Sequence, residues 1–257
     1  MLEAHNLGYR VGGRWLLKGL HLSIAPGEVL GILGPNGSGK TTLLRLLAGE
    51  IPLSEGEILL EGRPLAVYRP SALARTRAVL SQLQEMGFPF TAYEVAFLGR
   101  LPHLEGRREK TEDHAKTLRY LERVQALPLK ERLLPTLSGG ERMRVEMARL
   151  LNQEAKLYLL DEPTNHLDPR YAMDLLQLFR SLAQEGAGVV AVLHDLNLAC
   201  RFADRLLLLK GGRMVAQGRP EEVLQPNLLQ EAYEVAFQAW EDPSGTRVIL
   251  PLTATRG

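Results

Sequence analysis

The sequence predicts an α/β protein: a parallel sheet covered by helices on both faces, with an N-terminal antiparallel β-subdomain and an inserted helical subdomain. Three observations point there. Short apolar runs rich in Val, Ile and Leu alternate with longer helical patterns along most of the chain, the rhythm of strands buried on both sides. Residues 1–28 read instead as short strands with turns at Gly12-Gly13 and Pro26-Gly27, the pattern of an antiparallel patch. Between about residues 85 and 153 the strand signal fades, and 111–125 and 138–151 carry helical spacing.

The clearest strand candidates are 29–33, 78–80, 157–160, 188–193 and 205–209, each followed by polar residues or glycine. A helical run at 42–48 follows the first and another at 196–203 precedes the last. Residues from about 219 to 257, with Pro220, Pro226 and Pro243, read as a small peripheral tail on a single domain spanning 1–257.

Composition narrows the possible partners. With 31 Lys and Arg against 30 Asp and Glu, the net charge of +1 gives no general attraction to nucleic acid or to an anionic membrane. The single cysteine, Cys200, excludes an internal disulfide and a multi-cysteine zinc site, and in its helical segment it reads as packing. The N-terminus lacks the basic-then-apolar pattern of a signal peptide, so the cytoplasm is the expected compartment. No run approaches the roughly 18–20 apolar residues that cross a bilayer.

Gly34-Pro35-Asn36-Gly37-Ser38-Gly39-Lys40-Thr41 fits G-x-x-x-x-G-K-[ST], placed between an apolar strand and the helical run that opens with Thr42. Glycines let the backbone wrap a polyphosphate and aim its N–H groups inward, and the helix N-terminus adds positive potential. Lys40 is expected to reach the β and γ oxygens, and Thr41 to ligate Mg²⁺.

Asp161 and Glu162 follow the apolar strand at 157–160. Ligands of open α/β sheets lie beyond the carboxyl ends of the strands, and alternation should point the two acids differently. Asp161 is expected to hold Mg²⁺, and Glu162 to polarise the water that attacks the γ-phosphate. Two further strands end in suitable groups. Gln82 is expected to complete the metal shell and position water, and His194 to contact the γ-phosphate.

Leu137-Ser138-Gly139-Gly140-Glu141 opens a helix whose apolar face is Met143, Met147, Leu150 and Leu151. Ser138 and Glu141 make a capping box, which accounts for those two residues and leaves the glycines unexplained. Each glycine weakens the first turn by about 1 kcal/mol relative to Ala. Bare N–H groups there admit a second phosphate. In a chain that already has one cradle, the economical reading is that this one serves a neighbouring subunit's nucleotide.

Taken together these residues resemble one family over nearly the whole chain, the nucleotide-binding subunits of ATP-binding cassette (ABC) transporters. The motifs stand in family order: the phosphate loop from Gly34 to Thr42, Gln82, the signature Leu137-Ser138-Gly139-Gly140-Glu141, Asp161 with Glu162, the segment Asn165-His166-Leu167-Asp168, and His194. The resemblance implies a P-loop NTPase with a RecA-like sheet core, with ATP and Mg²⁺ as ligands. It also implies a head-to-tail homodimer in which each ATP lies between one copy's phosphate loop and the other's Ser138 to Glu141, with Asp168 beside it. A separate membrane permease is implied too, docked near Gln82, which places the protein peripherally on the cytoplasmic face of the membrane.

A finer resemblance lies in Gly87-Phe88-Pro89-Phe90-Thr91, Glu94-Val95, Leu98-Gly99-Arg100-Leu101-Pro102-His103, and the tail segments Arg219-Pro220-Glu221-Glu222-Val223-Leu224 and Asp242-Pro243-Ser244-Gly245. These look like the heme-import branch, which implies a heme-binding protein as an indirect partner outside the membrane. Iron-siderophore or cobalamin import is the alternative within the family. A soluble cassette acting on nucleic acid or a protein assembly is the alternative outside transport, and the absence of a basic arm or linker weighs against it. One departure stands out. The family stacks adenine on an aromatic just before the first turn, where this chain has Val11, so the contact falls to Val11 or to Tyr9 two residues earlier. The other histidines, His5, His21, His103, His114 and His166, are scattered without metal-ligand spacing.

Overall fold

The chain opens with a long antiparallel hairpin, β1 (Leu2–Val11) and β2 (Arg14–Ile24), turned by left-handed backbone at Gly12 and Gly13. The computed structural model describes residues 1–80, 89–165, 167–241 and 247–252. Gln82, Gly87, Phe88, His166 and the Asp242-Pro243-Ser244-Gly245 stretch lie outside the described residues. After the hairpin come β3 (Val29–Leu33), α1 (Lys40–Leu47), β4 (Glu55–Leu60), β5 (Arg63–Pro64), α2 (Pro70–Thr76) and β6 (Arg77–Leu80). Among the described residues, the α-helices before the next strand are α3 (Ala92–Phe97), α4 (Leu101–Leu104), α5 (Thr111–Arg123) and α6 (Gly139–Asn152).

The chain then returns to strand–helix alternation with β7 (Leu157–Asp161), α7 (Pro169–Gln184), β8 (Gly188–Val192), α8 (Leu196–Phe202), β9 (Arg205–Lys210) and β10 (Arg213–Gly218). It ends in α9 (Pro220–Val223), α10 (Pro226–Tyr233) and a second hairpin, β11 (Phe237–Glu241) and β12 (Arg247–Pro251). The five strands predicted from apolar runs are present with ends within one residue. Strands β4 and β5, which the sequence reading missed, pair beside β1 in the order β2-β1-β4-β5. Half of β4 is exposed, so it carries no full apolar alternation to reveal it.

The central sheet runs β10-β9-β3-β8-β7-β6, parallel except for the antiparallel edge strand β10. Its middle strands β3, β7 and β8 are buried along their whole length. Alternate residues feed two cores. Leu30, Ile32, Leu159, Val190 and Val192 pack with the N-terminal hairpin and α1. Val29, Leu33, Leu160, Val189 and Ala191 pack with α6 and α7. Burial on both faces explains why these strands are continuous apolar runs. The order β3-β8-β7 sets three carboxyl ends side by side, and residues 34–41, 194 and 161–162 occupy them.

Between β6 and β7, α6 packs against α3 and α5. Between α3 and α4, Gly99 also lies against α6: a Cβ there would stand 2.1 Å from the carbonyl oxygen of Arg149. Its neighbour Arg100 is buried and donates to Asp113 Oδ1 at 3.3 Å, to the Asn152 carbonyl at 3.1 Å and to Glu154 Oε2 at 2.8 Å. Asp113, 2% exposed, also accepts from Arg107 and from the Lys110 N–H. The Arg107 hydrogen bond foremost holds its carboxyl far below the usual range, against the opposing effect of burial. His103 Nε2 donates to the Gln153 carbonyl at 2.8 Å. Gly99, Arg100 and His103, part of the stretch that carries the finer resemblance, therefore fasten the short helices to α6.

Candidate active site

The turn after β3 is built by close approach. A Cβ at Gly34 would lie 2.3 Å from the carbonyl oxygen of Leu209 on β9, so the chain leaves the sheet there only as glycine. Gly39 adopts left-handed backbone as the residue before α1 and supplies no side-chain cap, which leaves the first-turn N–H groups facing the loop. Lys40 is 6% exposed, and its Nζ donates to the carbonyls of Gly34 at 2.7 Å and Pro35 at 3.0 Å. Burial lowers the ammonium below the ordinary lysine value, opposed by the charges of Glu162 and Asp161. Ser38 Oγ is buried in the same turn without a hydrogen-bond partner among the described residues. The loop borders a cleft of about 330 Å³ whose walls include Leu16, Asn36, Lys40, Thr41, Thr42 and Glu162.

The two acids after β7 do point to different partners. Asp161, 8% exposed, accepts from Thr41 Oγ1 at 3.2 Å. Burial raises its carboxyl pKa, with the Glu162 charge adding to the effect, while Thr41, Lys40 and His194 counter it. Glu162 sits at φ 51°, a left-handed backbone that costs a non-glycine residue roughly 1–2 kcal/mol. Asn165 braces it: its backbone N–H donates to the Glu162 carbonyl at 3.1 Å, and its side-chain amide donates to Oε2. The other carboxylate oxygen, Oε1, shares a 2.5 Å hydrogen bond with His194 Nε2. Lys40, Thr41 and Glu162 thus wall one cleft, with Asp161 bonded to Thr41 and His194 to Glu162.

Ser138 begins α6 with both capping-box bonds in place: Ser138 Oγ accepts from the Glu141 N–H at 3.3 Å, and Glu141 Oε2 accepts from the Ser138 N–H at 2.8 Å. Packing does not require the glycines. Among the described residues, a Cβ at Gly139 would meet nothing within 4 Å, and one at Gly140 would meet only Tyr171 at 3.9 Å. Both border open space, as a ligand-facing helix start requires. The adjoining cleft, about 360 Å³, is walled by Ser138, Gly140, Glu141, Arg144, Asp168 and Tyr171 among others, and shares no residue with the cleft at Lys40. Asp168 caps α7, its Oδ1 accepting from the N–H groups of Arg170 and Tyr171.

At the expected base contact, a register shift between Tyr9 and Arg10 interrupts the alternation that would put Tyr9 and Val11 on one face. Tyr9 packs against the N-terminal core, whereas Val11 is 52% exposed. Leu16, 40% exposed on β2, lines the Lys40 cleft; sequence reading missed it because an exposed leucine carries no motif. The brace from Asn165 was missed as well, although its three-residue spacing from Glu162 was a usable signal. The described histidines away from this cleft have local partners: His5 with Glu3, His21 with the Asn6 N–H, and His114 with Tyr93 and Glu109.

Residues 17–165 match the ABC transporter family, from β2 through the phosphate loop and α6 to the brace at Asn165. The chain belongs to that family. This ABC ATPase is 42% identical to a hemin import ATP-binding protein of Gloeobacter violaceus, over 98% of this chain and 94% of the relative. It is 45% identical to one of Pseudomonas fluorescens over 91% and 92%. Among solved structures it resembles a metal-chelate type ABC transporter in an inward-facing conformation, with a TM-score of 0.86, 27% identity, and coverage of 99% and 98%. It also resembles a dimeric bacterial ABC transporter cassette, at a TM-score of 0.73, 29% identity, and coverage of 86% and 99%. No helix of this ABC ATPase among the described residues is long and apolar enough to cross a membrane.

Proposed function

We propose that the protein hydrolyses ATP at the cleft between Lys40 and Glu162 and uses the cycle to drive heme import through a separate permease. The observation that carries the catalytic part is the Glu162–His194 hydrogen bond of 2.5 Å, beside a buried lysine that donates to two loop carbonyls. When a triphosphate enters, Lys40 exchanges the Gly34 and Pro35 carbonyls for β and γ oxygens, which are stronger partners because they are charged. His194 exchanges Glu162 Oε1 for a γ-phosphate oxygen. That exchange turns Oε1 toward a water, and Glu162 accepts its proton as the water oxygen bonds to the γ-phosphorus and the bond from that phosphorus to the β–γ bridging oxygen breaks, releasing ADP and inorganic phosphate.

The Thr41 hydroxyl and the Asp161 carboxylate are hard oxygen donors already in contact, a set that fits Mg²⁺. Bound there with Gln82, the ion would supply charge neutralisation at the phosphates.

The second phosphate contact comes from Ser138, Gly139, Gly140 and Glu141 of another copy. What supports this is the open face of the two glycines and the separation of their cleft from the Lys40 cleft within one chain. The similarity to a dimeric cassette supports pairing of two copies; in the head-to-tail arrangement proposed here Asp168 lies at the shared surface. Val11 and Leu16 offer the adenine an apolar contact in place of an aromatic ring.

For the cargo, the support is the name shared by the relatives at 39–45% identity. The permease holds the complex at the cytoplasmic face of the membrane, and a heme-binding protein delivers cargo from the other side. Co-purification with the permease, reconstitution, and assay with loaded binding proteins tests this. Stimulation of ATP turnover by the heme-loaded protein is expected. Stimulation by ferric siderophore or cobalamin instead would overturn the cargo assignment, and failure to associate with any permease would overturn the transport assignment.

A further inference from the structure

The C-terminal tail, which sequence reading places at the periphery, reaches the first residue of the phosphate loop. The backbone N–H of Gly34 donates to the phenolic oxygen of Tyr233 at 3.0 Å, across 199 residues of chain. Parallel pairing of β3 with β9 ends at Leu33 opposite Leu208, so Gly34 is the first residue beyond that ladder. Tyr233 stands at the C-terminal end of α10, and its ring meets Phe237 edge-on at 5.8 Å between centroids. Lys210 Nζ ties the same region to β9, donating to the Glu231 carbonyl at 2.6 Å and pairing with Glu234 at 2.9 Å. Beyond it, Asn197 on α8 exchanges two hydrogen bonds with the backbone of Ile249 on β12.

Gly34 is therefore held from both sides of its residue. Tyr233 takes its N–H, and Lys40 donates to its carbonyl. Nucleotide entry draws Lys40 away, which removes one of the two holds at the moment the loop must keep its shape. We infer that Tyr233 is a positioning residue of the phosphate loop: its hydroxyl keeps Gly34 seated at the end of β3 while Lys40 transfers to the phosphates, so the tail sets nucleotide affinity. This rests on the reading that the triphosphate binds at Lys40. Burial pushes the phenol up to about 12, so the hydroxyl stays neutral through the physiological range and the contact does not switch with pH.

Tyr233→Phe removes the acceptor and keeps the ring against Phe237. With the full-length protein, the KM for MgATP and the Kd for MgADP are expected to rise about 3- to 10-fold, the usual effect of one hydrogen bond, with kcat within about twofold. Values within about 1.5-fold of wild type would overturn the proposal, as would a fall in kcat at unchanged KM. A lower melting temperature with unchanged KM and Kd would overturn it too, since that outcome makes Tyr233 structural only. Hydrogen exchange on the unmodified protein is a second check: slow exchange of the Gly34 amide is expected, and exchange at the rate of an exposed loop would overturn the contact. Lys40→Ala, run in parallel, separates the two readings, because unaltered MgATP binding there would instead sink the assignment of the nucleotide site.

Discussion

Glu162 and His194 share a hydrogen bond of 2.5 Å across the carboxyl ends of two adjacent parallel strands, β7 and β8. The acid sits in left-handed backbone, and Asn165 holds its other oxygen, so its orientation is set before any substrate arrives. Preset orientation is what a general base needs.

Replacing that acid separates binding from chemistry. Glu162→Gln is expected to bind ATP, form a stable dimer and turn over at least about 100-fold more slowly, the range for loss of a general base. Steady-state phosphate release and light scattering with and without ATP check it. Turnover at the wild-type rate would remove Glu162 as the base.

Ser138→Arg is expected to abolish hydrolysis and spare nucleotide binding to the monomer, because Ser138 lies in a different cleft from Lys40. Mixing it with Lys40→Ala chains creates dimers with one intact composite site, which should recover part of the turnover. No recovery in demonstrated mixed dimers would mean that one competent site does not suffice.

Asp113→Asn removes the charged partner shared by Arg100 and Arg107, while Arg100 keeps Glu154 at 2.8 Å. A loss of about 1.5–3 kcal/mol is expected at pH 7, the range for a hydrogen bond to a charged group. The pH dependence follows from the depressed carboxyl of the folded protein. Asp113 contributes its full stability above its unfolded value of about 3.9, and that contribution falls as pH drops toward the lower folded value. The gap between the urea midpoints of the two proteins should therefore begin to narrow below about pH 4 and keep narrowing as the pH falls toward the folded value. A gap that is constant with pH would contradict this.

Gly99→Ala puts a methyl group where the Arg149 carbonyl oxygen stands 2.1 Å away. Backbone cannot yield as a side-chain tip does, so α6 must move away from the α3 end. A loss of about 1–3 kcal/mol is expected, the range for overpacking, and a melting curve measures it. An unchanged melting temperature would show that the contact relaxes freely.

Much of the site was legible because its parts are local. Residues 34–41, 138–141 and 161–162 are each a strand end or helix start whose chemistry fits within a few residues, and apolar runs marked the strands that carry them. Tyr9 shows where local reading failed: period-two alternation put it on the face of Val11, and a register shift in the hairpin places it against the core. Leu16 and Tyr233 were invisible for a different reason. An exposed leucine on a strand and a tyrosine near the end of a short helix carry no spacing that marks them, and each matters only through a neighbour distant in sequence.

By itself the sequence supplied the candidate chemistry: a glycine loop ending in a lysine, two acids after an apolar strand, and a serine-glycine-glycine helix start whose capping box leaves the glycines unexplained. Tertiary structure decided which of these meet. The order β3-β8-β7 brings Lys40, His194 and Glu162 to one edge, while the helical insertion keeps Ser138 in a cleft of its own. Strand order and long-range contacts come from how two apolar faces share one sheet, and no window of consecutive residues contains that information.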